Sequence, residues 1–100
     1  MVIEWLRFTV KPGFRARFIT FDRWVWTATL SAFPGFLRKS VWTSPGDDTE
    51  VVIVIEWASR KDWMNVPARL LEATERRFAA AVGPWGYRLR EARAFQVRDR

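Results

Sequence analysis

Chemistry in this sequence must come from carboxylates, basic side chains and aromatic rings, because the chain contains neither His nor Cys. Imidazole bases, His ligands to metal or haem, thiolate chemistry and zinc–thiolate sites are therefore excluded. Asp22 is the candidate catalytic residue, since it is an acid on the apolar side of a predicted helix. A carboxylate in that position must be paired or shift its pKa upward, and a shifted carboxylate can act as a general base.

Aromatic residues are the second candidate feature, with seven Trp and eight Phe in 100 residues. Each of these side chains buries about 150–250 Å², and one small core cannot cover fifteen of them. Some should therefore line a pocket or a subunit interface. We predict a pocket between helices and sheet, with Asp22 as its polar group and these binding residues: Trp5, Arg7, Trp26, Ile53, Trp57 and Trp63. Plain core packing of the aromatic rings, and a structural ion pair of Asp22 with an Arg such as Arg7, are the alternative interpretations.

The elements that would position these residues are organised around residues 51–57, an apolar, β-branched run that predicts a strand buried on both faces. Upstream, the pattern predicts a strand at 2–10, a helix at 14–33 that Pro34-Gly35 ends, and a strand at 36–43. Downstream, the spacing of Ser59 and Asp62 predicts a capping box that starts a short helix. A second helix follows from Pro67 and ends at Gly83-Pro84, and residues 87–98 form a last strand.

This order predicts one α+β domain, residues 1–100, with a ferredoxin-like β-α-β-β-α-β fold and a four-stranded antiparallel sheet. The tetrapeptide Val-Ile-Glu-Trp occurs at 2–5 and again at 54–57, which fits two related halves. The first and third strands are expected to lie side by side, and we expect that central pair to be parallel.

Two helices can cover only one face of such a sheet, so the other face needs a partner. We expect a homodimer that packs sheet on sheet, as a dimeric α+β barrel. Glu4 and Glu56 are expected to meet on the partner-facing side and to pair with Arg across the interface. The apolar residues expected on that side are Val52, Val54, Val2, Leu6, Phe8 and Val10.

The formal net charge of +6 suggests an anionic partner, but the basic residues are scattered along the chain and favour a charged surface coat. RNA-recognition domains share the element order, but they stack bases on aromatic residues of the third strand. That strand is aliphatic here until Trp57, so we expect no nucleic-acid partner. The sequence shows no signal peptide and no apolar run of about 18 residues, and we expect a cytoplasmic protein with no membrane partner.

The ordered motifs resemble the antibiotic-biosynthesis-monooxygenase-like proteins of the dimeric α+β barrel superfamily. The segment Phe33-Pro34-Gly35-Phe36 is similar to the family's Pro-Gly-Phe signature, and Trp57 matches its strand-terminal Trp. The resemblance covers essentially the whole chain and is closest to a bacterial, largely cyanobacterial, branch. The other residues that carry it are Asp22, Trp26, Val41-Trp42, Trp63 and the segment 71–75.

The resemblance implies a function and site positions. The family's cofactor-independent monooxygenases hold aromatic polyketides between helices and sheet. They use an Asn four residues before the strand Trp, that Trp, and a Tyr six residues after it. These positions are Ile53, Trp57 and Trp63 here, so the Asn amide is replaced by an aliphatic side chain and the Tyr hydroxyl is absent.

We therefore expect a protein that binds a small apolar or aromatic molecule, with oxygenation through the substrate's own carbanion and without metal, haem or another cofactor. A non-catalytic ligand-binding module or a structural homodimer is the alternative that stays open.

Overall fold

The computed structural model describes all 100 residues and contains one four-stranded sheet with helices over one face. None of the helices is long and apolar enough to cross a membrane. The strands are β1 (Val2–Val10), β2 (Phe36–Ser44), β3 (Asp47–Trp57) and β4 (Tyr87–Gln96). The helices are α1 (Arg15–Phe21), a π-helical segment (Asp22–Thr27), α2 (Ala28–Leu30), α3 (Arg60–Met64) and α4 (Ala68–Val82). The predicted ferredoxin-like α+β fold is confirmed.

The sheet has the strand order β2-β3-β1-β4, and every neighbouring pair is antiparallel. The predicted antiparallel sheet is therefore confirmed, whereas the prediction that the first and third strands are parallel is wrong. The helical crossover returns the chain so that β2 runs in the same direction as β1. The tight hairpin after Ser44 then reverses the chain, and β3 enters between β1 and β2 in the opposite direction.

Strand register decides which residues face the helices. Val2 lies opposite Trp57, and Leu6 lies opposite Ile53. Directly opposed residues share a face of the sheet, so these side chains lie together in the helix-covered core. The expectation that Val2, Leu6, Phe8 and Val10 face a partner is therefore wrong, because all four pack on the helix side.

The first helical run differs from the predicted continuous helix at 14–33. It is α-helical to Phe21, π-helical over Asp22–Thr27 and α-helical again only to Leu30. The predicted start of the short helix at Ser59 is confirmed, since the Asp62 backbone N–H donates to Ser59 Oγ at 3.1 Å.

The core holds aromatic rings at both ends of the central strands. Phe18 is 1% exposed, and its ring centroid lies 5.0 Å from that of Phe8 and 5.1 Å from that of Phe78. At the other end, the fully buried Trp57 packs edge-on against Phe36, with centroids 5.7 Å apart. The space between these ends is where a cavity can remain.

The second face of the sheet carries no helix, and we call it the open face. Trp42 is 53% exposed there and Phe95 is 39% exposed. The strand registers assign the following residues to the open face: Ile3, Trp5, Arg7, Arg38, Ser40, Trp42, Val52, Val54, Glu56, Arg93 and Phe95.

Gly35 joins the first helical run to β2 and lies against the start of α3. Its φ is +87°, and its carbonyl oxygen accepts from the Ala58 N–H at 2.7 Å. A Cβ at this position would lie 2.4 Å from Asp62 Cβ, which is held in place by the cap with Ser59. The glycine therefore fixes how the helical layer meets the end of β3.

We predict that Gly35→Ala lowers the free energy of unfolding by more than its matched control, Gly13→Ala. Gly13 has a similar φ of +85° but open space around it, so Ala there costs only the left-handed backbone, about 1–2 kcal/mol. Gly35→Ala adds the clash with Asp62, about 1–3 kcal/mol more. Urea unfolding measures both variants, and equal losses would contradict the close packing at Gly35.

Candidate functional site

A cavity of about 580 Å³ lies between the helices and the sheet. Most of its walls are apolar, and its polar residues are Glu4, Asp22, Lys39, Glu75 and Arg88, together with the Tyr87 hydroxyl. Its apolar walls include Leu6, Phe8, Phe18, Trp26, Leu30, Ile53, Ile55, Trp57, Trp63, Val66, Leu71 and Phe78. A mostly apolar cavity of this volume with a few polar groups has the character of a small-molecule binding site.

Five of the seven predicted site residues line this cavity: Asp22, Trp26, Ile53, Trp57 and Trp63. The placement predicted for Trp5 and Arg7 is wrong. Trp5 lies opposite Val54 and Arg7 opposite Val52, so both side chains point to the open face. Arg7 pairs there with Glu91 at 3.3 Å and does not reach Asp22.

Asp22 is instead paired with Lys39. The Lys39 Nζ donates to Asp22 Oδ2 at 2.6 Å and to Thr27 Oγ1 at 2.9 Å. The Lys39 side chain is 4% exposed and that of Asp22 is 6% exposed, so this ion pair is buried. The ion pair of the alternative interpretation is therefore present, with Lys39 of β2 and not Arg7 as the partner of Asp22.

The π-helical segment explains how one ammonium group reaches both Asp22 and Thr27. Residues five apart lie about 140° apart around a regular α-helix and face different directions. In a π-helix the hydrogen bonds connect residues five apart, so such residues stand nearly above one another. The wider turn therefore brings the Asp22 carboxylate and the Thr27 hydroxyl to the same side, toward Lys39.

Glu4 is the second carboxylate of the cavity. It lies opposite Ile55 on the helix-facing side of β1, and its Oε1 accepts from the indole N–H of Trp57 at 3.3 Å. The expectation that Glu4 and Glu56 meet on one face is therefore wrong. Glu56 lies on the open face and pairs within the chain with Arg38 and Arg100. The hydrogen bond with Arg38 is the largest cause of its lowered pKa.

Burial dominates the electrostatics of the cavity. Loss of hydration raises the pKa of Glu4 and that of Asp22, against the opposing effect of the Lys39 charge. The same loss of hydration lowers the pKa of Lys39, although Asp22 and Glu4 oppose it. Burial thus favours the uncharged form of all three groups, and a carboxylate with a raised pKa can act as a general base.

A second polar pair, which is exposed to solvent, lies at the opposite end of the cavity. The Tyr87 hydroxyl donates to the Glu75 carboxylate. Burial, together with this bond, raises the pKa of Tyr87, so the phenol stays protonated. The cavity thus has one end with two carboxylates and an ammonium, and another end with a neutral phenol and one carboxylate.

Sequence reasoning missed Glu4 and Lys39 as cavity residues. A signal for Glu4 was present, because alternate positions of β1 from Leu6 onward are apolar and Glu4 falls in the same set. Lys39 gave no such signal. It sits in a strand with few buried residues, and only the pairing of β2 with β3, opposite Ile55, turns it toward the helices.

We predict that Lys39→Met lowers the free energy of unfolding by about 3–5 kcal/mol, because it leaves the Asp22 charge buried without a partner. The double variant Asp22→Asn/Lys39→Met removes both charges and should recover much of that loss. The exposed Lys61→Met is the matched control and should change stability by less than about 0.5 kcal/mol. Urea unfolding measures all three, and a double variant no more stable than Lys39→Met would contradict the buried pair.

Comparisons with known proteins agree with this architecture. Residues 1–69 match the antibiotic biosynthesis monooxygenase family. SnoaB from Streptomyces nogalater, described as a cofactor-independent oxygenase, is similar in structure with a TM-score of 0.76 and 22% identity, over 99% of this chain and 94% of that one. No curated protein sequence matched the chain significantly.

Two further solved structures share the fold. The monooxygenase ActVA-Orf6 of Streptomyces coelicolor, in complex with nanaomycin D, has a TM-score of 0.74 at 19% identity, over 99% of this chain and 88% of that one. Protein Atu4242 from Agrobacterium tumefaciens has a TM-score of 0.70 at 14% identity, over 96% and 92%. The finer resemblance to a largely cyanobacterial branch stays a prediction. The family match covers more than half of the chain, and the antiparallel sheet with its helix-covered cavity agrees with it. This chain therefore belongs to the antibiotic biosynthesis monooxygenase family.

Proposed function

We propose that the chain binds a small, largely apolar or aromatic molecule in the cavity and oxygenates it without a metal or an organic cofactor. The observation that carries this proposal is the cavity itself, about 580 Å³ with three Trp side chains in its walls and buried carboxylates at one end. Flat apolar ligands gain most from indole walls, because Trp offers a large rigid surface. The roles of Asp22, Trp26, Ile53, Trp57 and Trp63 in binding or catalysis are part of this proposal.

The reaction would begin with loss of a proton from an activated C–H bond to a carboxylate of the cavity. The electron-rich carbanion then reduces dioxygen and forms a C–O bond, which gives a hydroperoxide once a proton returns. Loss of water from a methylene-derived hydroperoxide leaves a carbonyl group. One oxygen atom ends in the product and the other in water, which also takes up both methylene hydrogens.

The family match and the oxygenase descriptions of its structural relatives support this reaction class. One observation favours the non-catalytic alternative. Ile53 and Trp63 lack the polar atoms that the resemblance associates with catalysis, and Asp22 is held by Lys39. Under this alternative the cavity would bind a ligand without oxidising it.

Anthrone tests the two possibilities, because it is flat, apolar and carries an activated methylene. We expect anaerobic calorimetry to show binding, and an oxygen electrode to show one dioxygen consumed for each anthraquinone formed. Trp63→Ala should weaken binding about tenfold, since it removes an indole from the cavity wall. The matched control is Trp85→Ala, whose side chain is 83% exposed and outside this cavity.

The results of these two measurements distinguish an oxygenase from a non-catalytic binding module. Binding with no accelerated oxygen uptake would support the non-catalytic module. No binding, or equal loss in Trp63→Ala and Trp85→Ala, would overturn the cavity as a ligand site.

We further propose that the open face packs against a second copy of the chain. Its aromatic side chains include Trp42 and Phe95, which a monomer would leave 53% and 39% exposed. The outward residues of β3 are Val52 and Val54, which cannot stack bases, so this face suits a protein partner better than RNA.

We predict that Trp42→Lys converts the dimer into a monomer, because it places a charge in the apolar contact. Trp24→Lys is the control, since Trp24 is 70% exposed on the helical side. Sedimentation equilibrium measures the mass. A wild-type monomer at micromolar concentration, or a dimer that survives Trp42→Lys unchanged, would contradict the sheet-to-sheet contact.

A further inference from the structure

Glu4 and Lys39 stand on either side of Ile55, on the same face of three adjacent strands. Glu4 of β1 and Lys39 of β2 are both direct partners of Ile55 in β3. Two strand spacings separate their backbones by roughly 10 Å, so their long side chains can converge above Ile55 and leave room for one ligand group between them. All three residues line the cavity.

Glu4 and Lys39 do not use all of their side-chain hydrogen-bonding atoms within the protein. Lys39 Nζ has three N–H donors and uses two of them, on Asp22 and Thr27. Glu4 uses Oε1 to accept from Trp57, and its Oε2 has no partner in the protein. No fully buried side-chain oxygen or nitrogen lacks a partner, so Oε2 is accessible from the cavity. The cavity thus offers one unused donor and one unused acceptor, on two side chains that flank Ile55.

Only some ligand groups can satisfy both the unused Lys39 donor and the unused Glu4 acceptor. A carboxylate accepts from Lys39 but is repelled by Glu4, and an ammonium donates to Glu4 but is repelled by Lys39. A ketone leaves Glu4 without a donor. A hydroxyl group donates to Glu4 and accepts from Lys39 at the same time.

We infer that Glu4 and Lys39 together recognise one weakly acidic hydroxyl, a phenol or an enol, on an otherwise apolar ligand. Glu4 accepts the hydroxyl proton, and Lys39 binds the oxygen that becomes negative. This assignment rests on the proposed function of the cavity, and it makes Glu4 the base for this hydroxyl and Asp22 a positioning residue that holds Lys39.

The proton transfer is balanced. The ligand O–H bond breaks, its electron pair stays on the ligand oxygen, and a new O–H bond forms on Glu4. Burial raises the pKa of Glu4, which brings it closer to that of a phenol. The other charged groups of the cavity are Lys39 and Asp22 beside Glu4, and Glu75 and Arg88 toward the Tyr87 end. The developing charge therefore meets the Lys39 ammonium, which Asp22 and Thr27 hold in place.

Three probes with the same ring system test this inference by calorimetry: naphthalene, 2-naphthol and 2-naphthoate. Wild type should bind 2-naphthol at least tenfold more tightly than either of the others. Glu4→Gln should lose about tenfold in 2-naphthol affinity and leave naphthalene affinity unchanged. Asp22→Asn/Lys39→Met removes the ammonium without leaving a buried carboxylate unpaired, and it should also lose the preference for the hydroxyl.

Glu72→Gln, an exposed position on α4, is the matched control and should bind all three probes as wild type does. Thermal melts establish that each variant is folded. A wild type that binds 2-naphthoate as tightly as 2-naphthol, or a hydroxyl preference that survives both cavity variants, would overturn the inference and leave the cavity as a ligand site. Failure of all three probes to bind wild type would overturn the cavity as a ligand site and the inference together.

Discussion

The buried ion pair between Lys39 and Asp22 is the interaction on which the helix-facing side of the molecule depends. Either charge alone would be too costly in surroundings lined mostly by apolar side chains, so the two residues must meet. Their contact connects the first helical run to β2, an edge strand of the sheet. The π-helical segment lies at the same contact, where Thr27 shares the ammonium with Asp22. The ion pair thereby holds the helices over the sheet, and the cavity lies beside the ion pair.

Strand register decides what that cavity contains. The same four letters occur in β1 and in β3, yet their side chains face opposite ways. Glu4 and Trp57 point toward the helices, whereas Trp5 and Glu56 point to the open face. A shift of one residue in β1 would move Glu4 out of the cavity, and a shift of one residue in β3 would move Trp57 out of it. The open face would then carry a different set of side chains to any second copy of the chain.

The element order, the ferredoxin-like fold and the cap at Ser59 could be predicted from the sequence, because apolar periodicity and turn residues act locally. Asp22 stood out for the same reason, as an acid on an apolar helix face. Its partner could not be predicted, since Lys39 is distant in sequence and its direction depends on the pairing of β2 with β3. Trp5 was placed in the pocket wrongly, because alternation along one strand defines two sets of residues without saying which set the helices cover. Nothing in the sequence indicated the π-helical segment, because its apolar residues also fit an α-helical spacing.

The polar groups of this cavity, Glu4, Asp22 and Lys39, lie where burial makes ionisation costly. The most direct test is a pH titration of the side-chain carboxyl ¹³C resonances of the ligand-free protein. We expect Glu4 to titrate above its ordinary pKa of 4.5 and Asp22 above 3.8. Midpoints at or below those values for both residues would contradict the dominant effect of burial and the role of Glu4 as a base.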